Sequence, residues 1–168
     1  MQKLEARGRE VEVKLWREIA EEFRVSLTAA VLRFAELFKG IMAVILSKNN
    51  PEGMAFRQKI VWMACNKNFS YGKLNKNELI PLNTRTYDIY EHLMPTNYIQ
   101  NQRIKKTGYR QFMKEKSDFL DSLEKTINVY SSDWFGNKSY AENGYLCQID
   151  LPMTNYNSVL TVLWEGEE

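Results

Sequence analysis

The sequence predicts an α+β fold, in which an N-terminal pair of helices is followed by a mostly antiparallel sheet with helices on one face. Apolar residues recur at helical spacing through residues 11–38, and short β-prone runs begin at residue 41. The predicted order is α-α-β-β-(α)-α-β-β-β. Because helices and strands do not alternate strictly, an antiparallel sheet fits this order better than a doubly wound fold.

The composition is that of an ordinary globular chain. Of the 168 residues, 44% are hydrophobic and 26% are charged, and a net charge of +2 arises from 23 basic and 21 acidic residues. This balance argues against a dedicated polyanion binder. The apolar runs 41–46 and 159–164 are too short to span a bilayer, so we expect a cytoplasmic protein with no membrane partner. Cys65 and Cys147 lie in strand-like runs, which favours two buried free thiols over a disulfide.

The first two helices are predicted on either side of a tight turn at residues 23–26. The first covers about residues 11–23, and Ser26 is a suitable N-cap for the second because its hydroxyl can accept an unpaired helical amide. The second helix is apolar on most sides, so we expect it to pack between the first helix and the sheet. Gly40 is predicted to end it as a left-handed C-cap.

The remaining elements follow from turn residues and from alternation. An apolar strand over residues 41–46, a turn at 49–53 and an alternating strand over 56–64 predict a hairpin. A short helix capped by Thr84 or Thr86 is expected to end at Pro95. The other predicted elements are a helix at 106–128, a β-prone run at 128–135, and strands at 145–152 and 159–164. We therefore predict a helical platform over residues 1–39 and an α+β domain over residues 40–168.

The sequence has no catalytic signature. It lacks HExxH, a glycine-rich phosphate loop, a Walker pattern, GxSxG and CxxC. The single histidine, His92, follows Asp88 by four residues, which can place two metal ligands on one helix face, but no third ligand is indicated. We predict no catalytic residues, no metal site, no cofactor and no enzymatic activity.

Four aromatic residues are candidates for ligand binding. Trp62, Tyr87, Tyr90 and Trp134 could line a concave, mostly apolar pocket. The alternative interpretation is that they belong to an ordinary core, as aromatic residues on strands commonly do.

A basic segment at residues 103–116 is the candidate for contact with phosphate groups. Its first members are Arg103, Lys105, Lys106 and Arg110. The alternative is that these residues form the solvated face of a helix, balanced by the acidic residues that follow.

Residues 11–38 also have the spacing of a helix-turn-helix. A base-reading second helix needs Arg, Lys, Asn or Gln near its N-terminus, whereas this helix begins Leu27, Thr28, Ala29, Ala30. We therefore interpret the pair as a packing element. Nucleic-acid association through the pair or through the basic segment stays as the alternative function.

Residues 19–34, IAEEFRVSLTAAVLRF, resemble the helical segment that follows the catalytic helices in ImmA/IrrE-type regulatory metallopeptidases. In that family a turn of phenylalanine, any residue, valine and serine precedes a helix containing alanine and arginine. The proline-then-threonine entry to a short helix at 81–93 and the isolated Trp134 agree more loosely, and the helix at about 106–127 looks like an insertion. The family's HExxH zinc site is absent here, so the resemblance covers the C-terminal region and carries no peptidase residue.

The resemblance implies a non-catalytic regulatory module in transcriptional or stress regulation. In family members with a C-terminal extension, that extension is a GAF-like sensor domain. We therefore expect residues 40–168 to sense a small molecule or to dock a regulatory protein. An HExxH motif encoded immediately upstream of Met1 would settle the relationship to the family.

Overall fold

The computed structural model describes residues 13–52, 55–93, 104–123, 125–136, 144–153 and 157–166. The helices are α1 (Val13–Glu22), α2 (Leu27–Leu37), α3 (Arg85–Leu93), α4 (Tyr109–Ser122) and α5 (Ser131–Phe135). The strands are β1 (Met42–Glu52), β2 (Ala55–Cys65), β3 (Ile127–Tyr130), β4 (Tyr145–Pro152) and β5 (Ser158–Trp164). None of the described helices is long and apolar enough to cross a membrane.

The five strands form one open sheet in the order β2-β1-β5-β4-β3. Each neighbouring pair is antiparallel, including the predicted β1–β2 hairpin and the central β1–β5 and β5–β4 pairs. The predicted α+β class with an antiparallel sheet is confirmed. The division into a helical platform and an α+β domain stays a prediction.

Helices cover both faces of the sheet, which we name by the helices that lie on them. On the α1–α2 face, the N-terminal pair packs on the central strands through apolar side chains that include Trp16, Val31, Phe34, Val44 and Val162. On the α3 face, the later helices pack on the opposite side of the same strands through a second set that includes Ile89, Tyr90, Trp134, Leu146 and Leu163. The later helices therefore share one face, and the helical pair lies behind it.

The N-terminus of α2 forms as predicted, and its C-terminus does not. Ser26 is the N-cap, and its Oγ accepts a hydrogen bond from the Ala29 amide at 3.2 Å. The helix ends at Leu37 with Phe38 extended, and Gly40 does not have a positive φ. A Cβ at Gly40 would lie 2.7 Å from Cε1 of Phe38. Glycine is needed at residue 40 because the ring of Phe38 approaches closely. The prediction that Gly40 is a left-handed C-cap was wrong.

The predicted turn at residues 49–53 was placed too early, because β1 continues to Glu52. The hairpin register shifts between Leu46, which pairs with Trp62, and Ser47, which pairs with Ile60. This bulge turns Trp62 towards the α1–α2 face and Ile60 towards the α3 face. The alternation predicted for β2 therefore does not continue along the whole strand.

Two later elements also differ from the sequence-based prediction. The helix predicted at 106–128 is interrupted at Gly108, whose φ of 81° is left-handed, so a helical segment at 104–107 precedes α4. Trp134 lies on α5 rather than in a β-prone run. Both cysteines are free as expected, but Cys65 is exposed and Cys147 is half-buried, so the expectation of two buried thiols was wrong.

Candidate functional site

A cluster of buried polar side chains lies between α3 and the centre of the sheet. Asp150 of β4 is at its centre, and both Asp150 and Thr161 of β5 have no exposed surface. We use the name Asp150 cluster for Asp150 and the four side chains that bond to it: Arg85, Thr86, Gln148 and Thr161.

The local sequence explains why these side chains meet. Gln148 and Asp150 are two residues apart on β4 and share a face, and Thr161 is the register partner of Asp150 on β5. Thr84 begins α3, since its Oγ1 accepts a hydrogen bond from the Tyr87 amide at 3.3 Å. That cap fixes the first turn of α3, and Thr86 in this turn reaches Asp150 on the sheet.

Both carboxyl oxygens of Asp150 accept two hydrogen bonds. Oδ1 accepts from the hydroxyls of Thr86 and Thr161, each at 2.7 Å. Oδ2 accepts from Nε2 of Gln148 at 2.7 Å and from Nε of Arg85 at 2.8 Å. Three of these donors are neutral and buried, and one belongs to a charged side chain. Four bonds of this length compensate for much of the cost of removing a carboxyl from water.

Arg85 connects the cluster to the end of α4. Besides its bond to Asp150, it donates from one terminal nitrogen to the Lys125 carbonyl at 3.0 Å and from the other to the Leu123 carbonyl at 3.3 Å. Its side chain is 10% exposed, whereas that of Asp150 is 0% exposed. Solvent therefore meets the cluster at Arg85, which joins α3, β4 and the segment that leads from α4 to β3.

Tyr90 forms a second buried polar contact on the same face. Its hydroxyl is 2.8 Å from Oγ of Ser47, and that Oγ donates to the Val159 carbonyl at 3.3 Å. Either hydroxyl can be the donor in the contact between Tyr90 and Ser47. Burial, the largest cause, raises the pKa of Tyr90 well above its ordinary value; the Ser47 hydrogen bond opposes this shift, and the nearby charge of Asp150 adds to it.

Three of the four aromatic candidates lie together on the α3 face. Tyr87, Tyr90 and Trp134 all belong to its apolar cluster, and Nε1 of Trp134 donates to Oε1 of Gln148 at 2.9 Å. Trp134 is thus joined directly to the Asp150 cluster. Trp62 lies on the opposite face, against the helical pair, so it cannot line the same pocket.

The basic candidates are surface residues. Lys105 and Lys106 are exposed on the helical segment 104–107, and Arg110 is exposed in the first turn of α4. Arg103 lies outside the described residues. His92 belongs to α3, but its side chain is likewise outside what the structure describes.

The second helix of the pair presents little that could read bases. Ala29 is exposed near its N-terminus, and the exposed Arg33 forms an ion pair of 2.7 Å with Glu36 in the next turn. The helix buries Ala30, Val31, Phe34 and Ala35. Its surface is therefore used mainly for packing.

Most of the Asp150 cluster was not singled out from the sequence. Thr86 was considered only as a helix cap, and Asp150 and Gln148 only as the polar half of an alternating strand. One signal in the sequence could have identified these residues. Gln148 and Asp150 alternate with apolar residues on one strand, and Thr161 interrupts the apolar run of the final strand. When a central strand is covered on both faces, the polar side chains on it are buried inside the protein.

In this arrangement Asp150 has no acceptor position free for proton transfer. Each oxygen of Asp150 already accepts two hydrogen bonds, so no lone pair is left over for a general base. Among the described residues, no three His, Cys, Asp or Glu side chains come together as a set of metal ligands.

Comparison with known proteins does not assign a family. No protein-family model and no curated protein matches the sequence. Among solved structures, the chain is similar to an IclR family transcriptional regulator from Brucella abortus, with 12% sequence identity and a TM-score of 0.40. The match covers 81% of this chain and 48% of that chain, so it spans about half the length of the regulator. Likeness at this level does not define a function.

Proposed function

We propose that this chain is a non-catalytic regulatory module whose α+β domain senses a small ligand at the Asp150 cluster. The observation that carries the proposal is the fully buried Asp150 carboxyl, which is paired with one partly exposed cation. Buried ion pairs are often no more stabilising than apolar residues of similar volume, so a role beyond stability is a reasonable hypothesis for this one.

The proposed ligand carries hydrogen-bond donors that replace those of Arg85. Thr86, Thr161 and Gln148 still bond to Asp150 when Arg85 moves away, because none of them depends on the guanidinium. Oδ2 of Asp150, which then lacks the bond from Arg85, can accept a hydrogen bond from an amine, amidine or amide group. Tyr87, Tyr90 and Trp134 on the same face would supply apolar contacts to the rest of the ligand.

Displacement of Arg85 gives a route from ligand binding to a structural response. The Leu123 and Lys125 carbonyls lose their guanidinium donors when the side chain moves. The segment between α4 and β3 is then less firmly attached to α3. The two states differ in whether Arg85 or the ligand is bonded to Asp150. A ligand shifts the equilibrium between two states only by its difference in affinity for them, and here that difference arises at Asp150.

Native mass spectrometry and isothermal titration calorimetry test the sensing proposal. We expect a small molecule to co-purify with the chain, or a donor-bearing ligand to bind on titration. Asp150→Asn should abolish binding, whereas Arg85→Ala should retain or strengthen it, because the competing side chain is gone. If nothing co-purifies and no ligand binds, the sensing proposal fails.

We further propose that the chain corresponds to the GAF-like, post-catalytic region of an ImmA/IrrE-type regulatory protein. The turn at residues 23–26 and its capped second helix support this relationship. The genomic reading frame tests it: an HExxH motif encoded just upstream of Met1 is the expected result. A frame with unrelated sequence in that position would count against it.

Protein docking is a second candidate function, favoured by the turn between α1 and α2. Phe23 is 65% exposed and Val25 is 44% exposed, on either side of Arg24, whose φ is 53°. Apolar side chains held in a fixed turn suit a neighbouring domain or a regulatory protein. If binding of an identified partner is lost in Phe23→Ser and kept in Arg17→Ser, the turn is the docking site.

Nucleic-acid association has less support. The exposed Arg33 is paired with Glu36, and the basic residues before Gly108 are followed on α4 by exposed acids that include Glu115 and Asp118. Binding to a labelled duplex at low salt that exceeds that of a neutral control protein, and that weakens as salt rises, would revive this alternative.

A further inference from the structure

The outward face of α4 combines apolar and charged side chains that do not contact the core. Phe112 is buried and Phe119 packs on the α3 face, whereas Tyr109 and Met113 are 65% and 43% exposed. Tyr109 and Met113 are four residues apart and therefore neighbours on the helix surface. They form a small apolar strip on the side that faces solvent.

The charges beside this strip change sign along the helix. Arg110 and Lys114 are exposed in the first half of α4, and Asp118 is exposed one turn after Lys114. Within the part of the chain that the structure describes, Lys114 and Asp118 form no ion pair. A helix that is basic and then acidic is complementary to a second, antiparallel copy of itself.

We propose that a second copy of this chain docks on this face, with the two α4 helices antiparallel about a two-fold axis close to residues 115–116. Lys114 of each copy then faces Asp118 of the other. Met113 packs near the small Ser117 of the opposite copy, with Tyr109 at the margin. Such an interface is isologous, so each contact occurs twice.

The pattern of charges favours a second copy over a nucleic acid. A phosphate backbone would be attracted by Arg110 and Lys114 and repelled by Asp118 one turn later. A second α4 satisfies both signs at once. Two helices of about 21 Å bury an area at the small end of specific interfaces, so we expect a weak dimer with a micromolar dissociation constant.

Analytical ultracentrifugation from about 10 to about 500 µM, at low and at high salt, tests this inference. We expect a monomer–dimer equilibrium that weakens with salt. Lys114→Glu and Asp118→Lys should each weaken dimerisation by about tenfold or more, since the two-fold axis makes each change count twice. The double variant K114E/D118K should restore it, because the complementary charges are only exchanged.

The matched control exchanges the ion pair on α2 in the double variant R33E/E36R, which should dimerise like the original chain. Circular dichroism verifies that every variant is folded. A chain that stays monomeric throughout, or a charge exchange that fails to restore the dimer, would overturn the proposal. Tighter binding of a labelled duplex by Asp118→Lys, without any dimer, would point to a polyanion site instead. The outcome does not depend on ligand sensing.

Discussion

At the level of single residues, two buried tryptophans differ in whether the indole N–H has a hydrogen-bond partner. Trp134 is 2% exposed, and its Nε1 donates to Gln148. Trp16 is 0% exposed and packs edge-on against Phe34, but its Nε1 has no hydrogen-bond partner among the described residues. The two side chains therefore bury similar apolar area with different polar consequences.

Replacement of each tryptophan by phenylalanine should separate these contributions. Trp134→Phe leaves Oε1 of Gln148 buried without its donor, which costs about 1–3 kcal/mol in addition to lost packing. Trp16→Phe loses packing only, since it also removes an unpaired N–H. We expect the first variant to be less stable than the second by at least about 1 kcal/mol in urea unfolding. Equal losses would show that the Trp134 hydrogen bond contributes nothing.

At the level of single residues, part of the candidate site could be predicted from the sequence. Tyr87, Tyr90 and Trp134 were identified by type and do lie together. Trp62 was misplaced because the bulge between Leu46 and Ser47 reverses the side of the sheet on which it lies. A bulge leaves little trace in an alternating sequence, and the long-range partners of Asp150 are brought together only by the tertiary fold.

At the level of elements, one loop asparagine holds the connection between the helical pair and the sheet. Nδ2 of Asn66 donates to the Phe38 and Gly40 carbonyls at 3.2 and 2.8 Å, and its Oδ1 accepts from the Met42 amide at 3.3 Å. These bonds satisfy backbone groups at the end of α2 and the start of β1. The position of the pair on the sheet therefore depends on the loop after β2.

We expect Asn66→Ala to destabilise the chain by about 2 kcal/mol, because two part-buried backbone groups, the Phe38 carbonyl and the Met42 amide, lose this partner, whereas the Gly40 carbonyl keeps Nδ2 of Asn68 at 3.4 Å. The control is Asn68→Ala in the same loop, whose Nδ2 donates to the Lys39 carbonyl at 2.8 Å from an exposed position. That loss should stay below about 1 kcal/mol, since water can replace an exposed donor. Thermal unfolding of both variants measures the difference, and similar melting temperatures would contradict the role given to Asn66.

The elements themselves could largely be predicted, since periodicity and capping are local. Ser26 begins α2, Thr84 caps α3, and β4 and β5 lie where alternation and apolar runs indicated. The errors arose where tertiary contacts outweigh local preference. Gly40 accommodates the ring of Phe38, and the run that contains Trp134 folds as a short helix on the sheet.

At the level of the whole molecule, buried tyrosines join distant parts of the chain. Tyr71, in the loop after β2, donates to Oε1 of Glu165 beyond β5 at 2.8 Å. Burial, the largest cause, together with the bond to Glu165 and its charge, raises the pKa of Tyr71 to about 12. The pKa of Tyr90 is raised as well, chiefly by burial.

Raised tyrosine pKa values make stability fall in alkali. Below about pH 10 the hydroxyls are protonated in both the folded and the unfolded chain. Above that pH the unfolded chain loses protons that the folded chain keeps, so the free energy of unfolding decreases until the folded-state pKa of about 12 for Tyr71 is passed. Urea unfolding between about pH 9 and about pH 12 should show this decrease, with a shallower slope in Tyr71→Phe. The exposed Tyr109→Phe is the control, and an unchanged slope in Tyr71→Phe would contradict the assignment.

The proposed sensing function depends on the ability of Asp150 to accept a small donor-bearing molecule in place of Arg85. Thermal unfolding of Arg85→Ala with methylguanidinium at roughly ten times its dissociation constant tests this most directly. If Asp150 binds such a molecule, the melting temperature of Arg85→Ala should rise by about 3–6 °C with methylguanidinium. It should not rise with tetramethylammonium, which has no N–H donor, and the melting temperature of the double variant R85A/D150N should not rise with methylguanidinium. A melting temperature of Arg85→Ala that responds to methylguanidinium no differently from that of the double variant would contradict it.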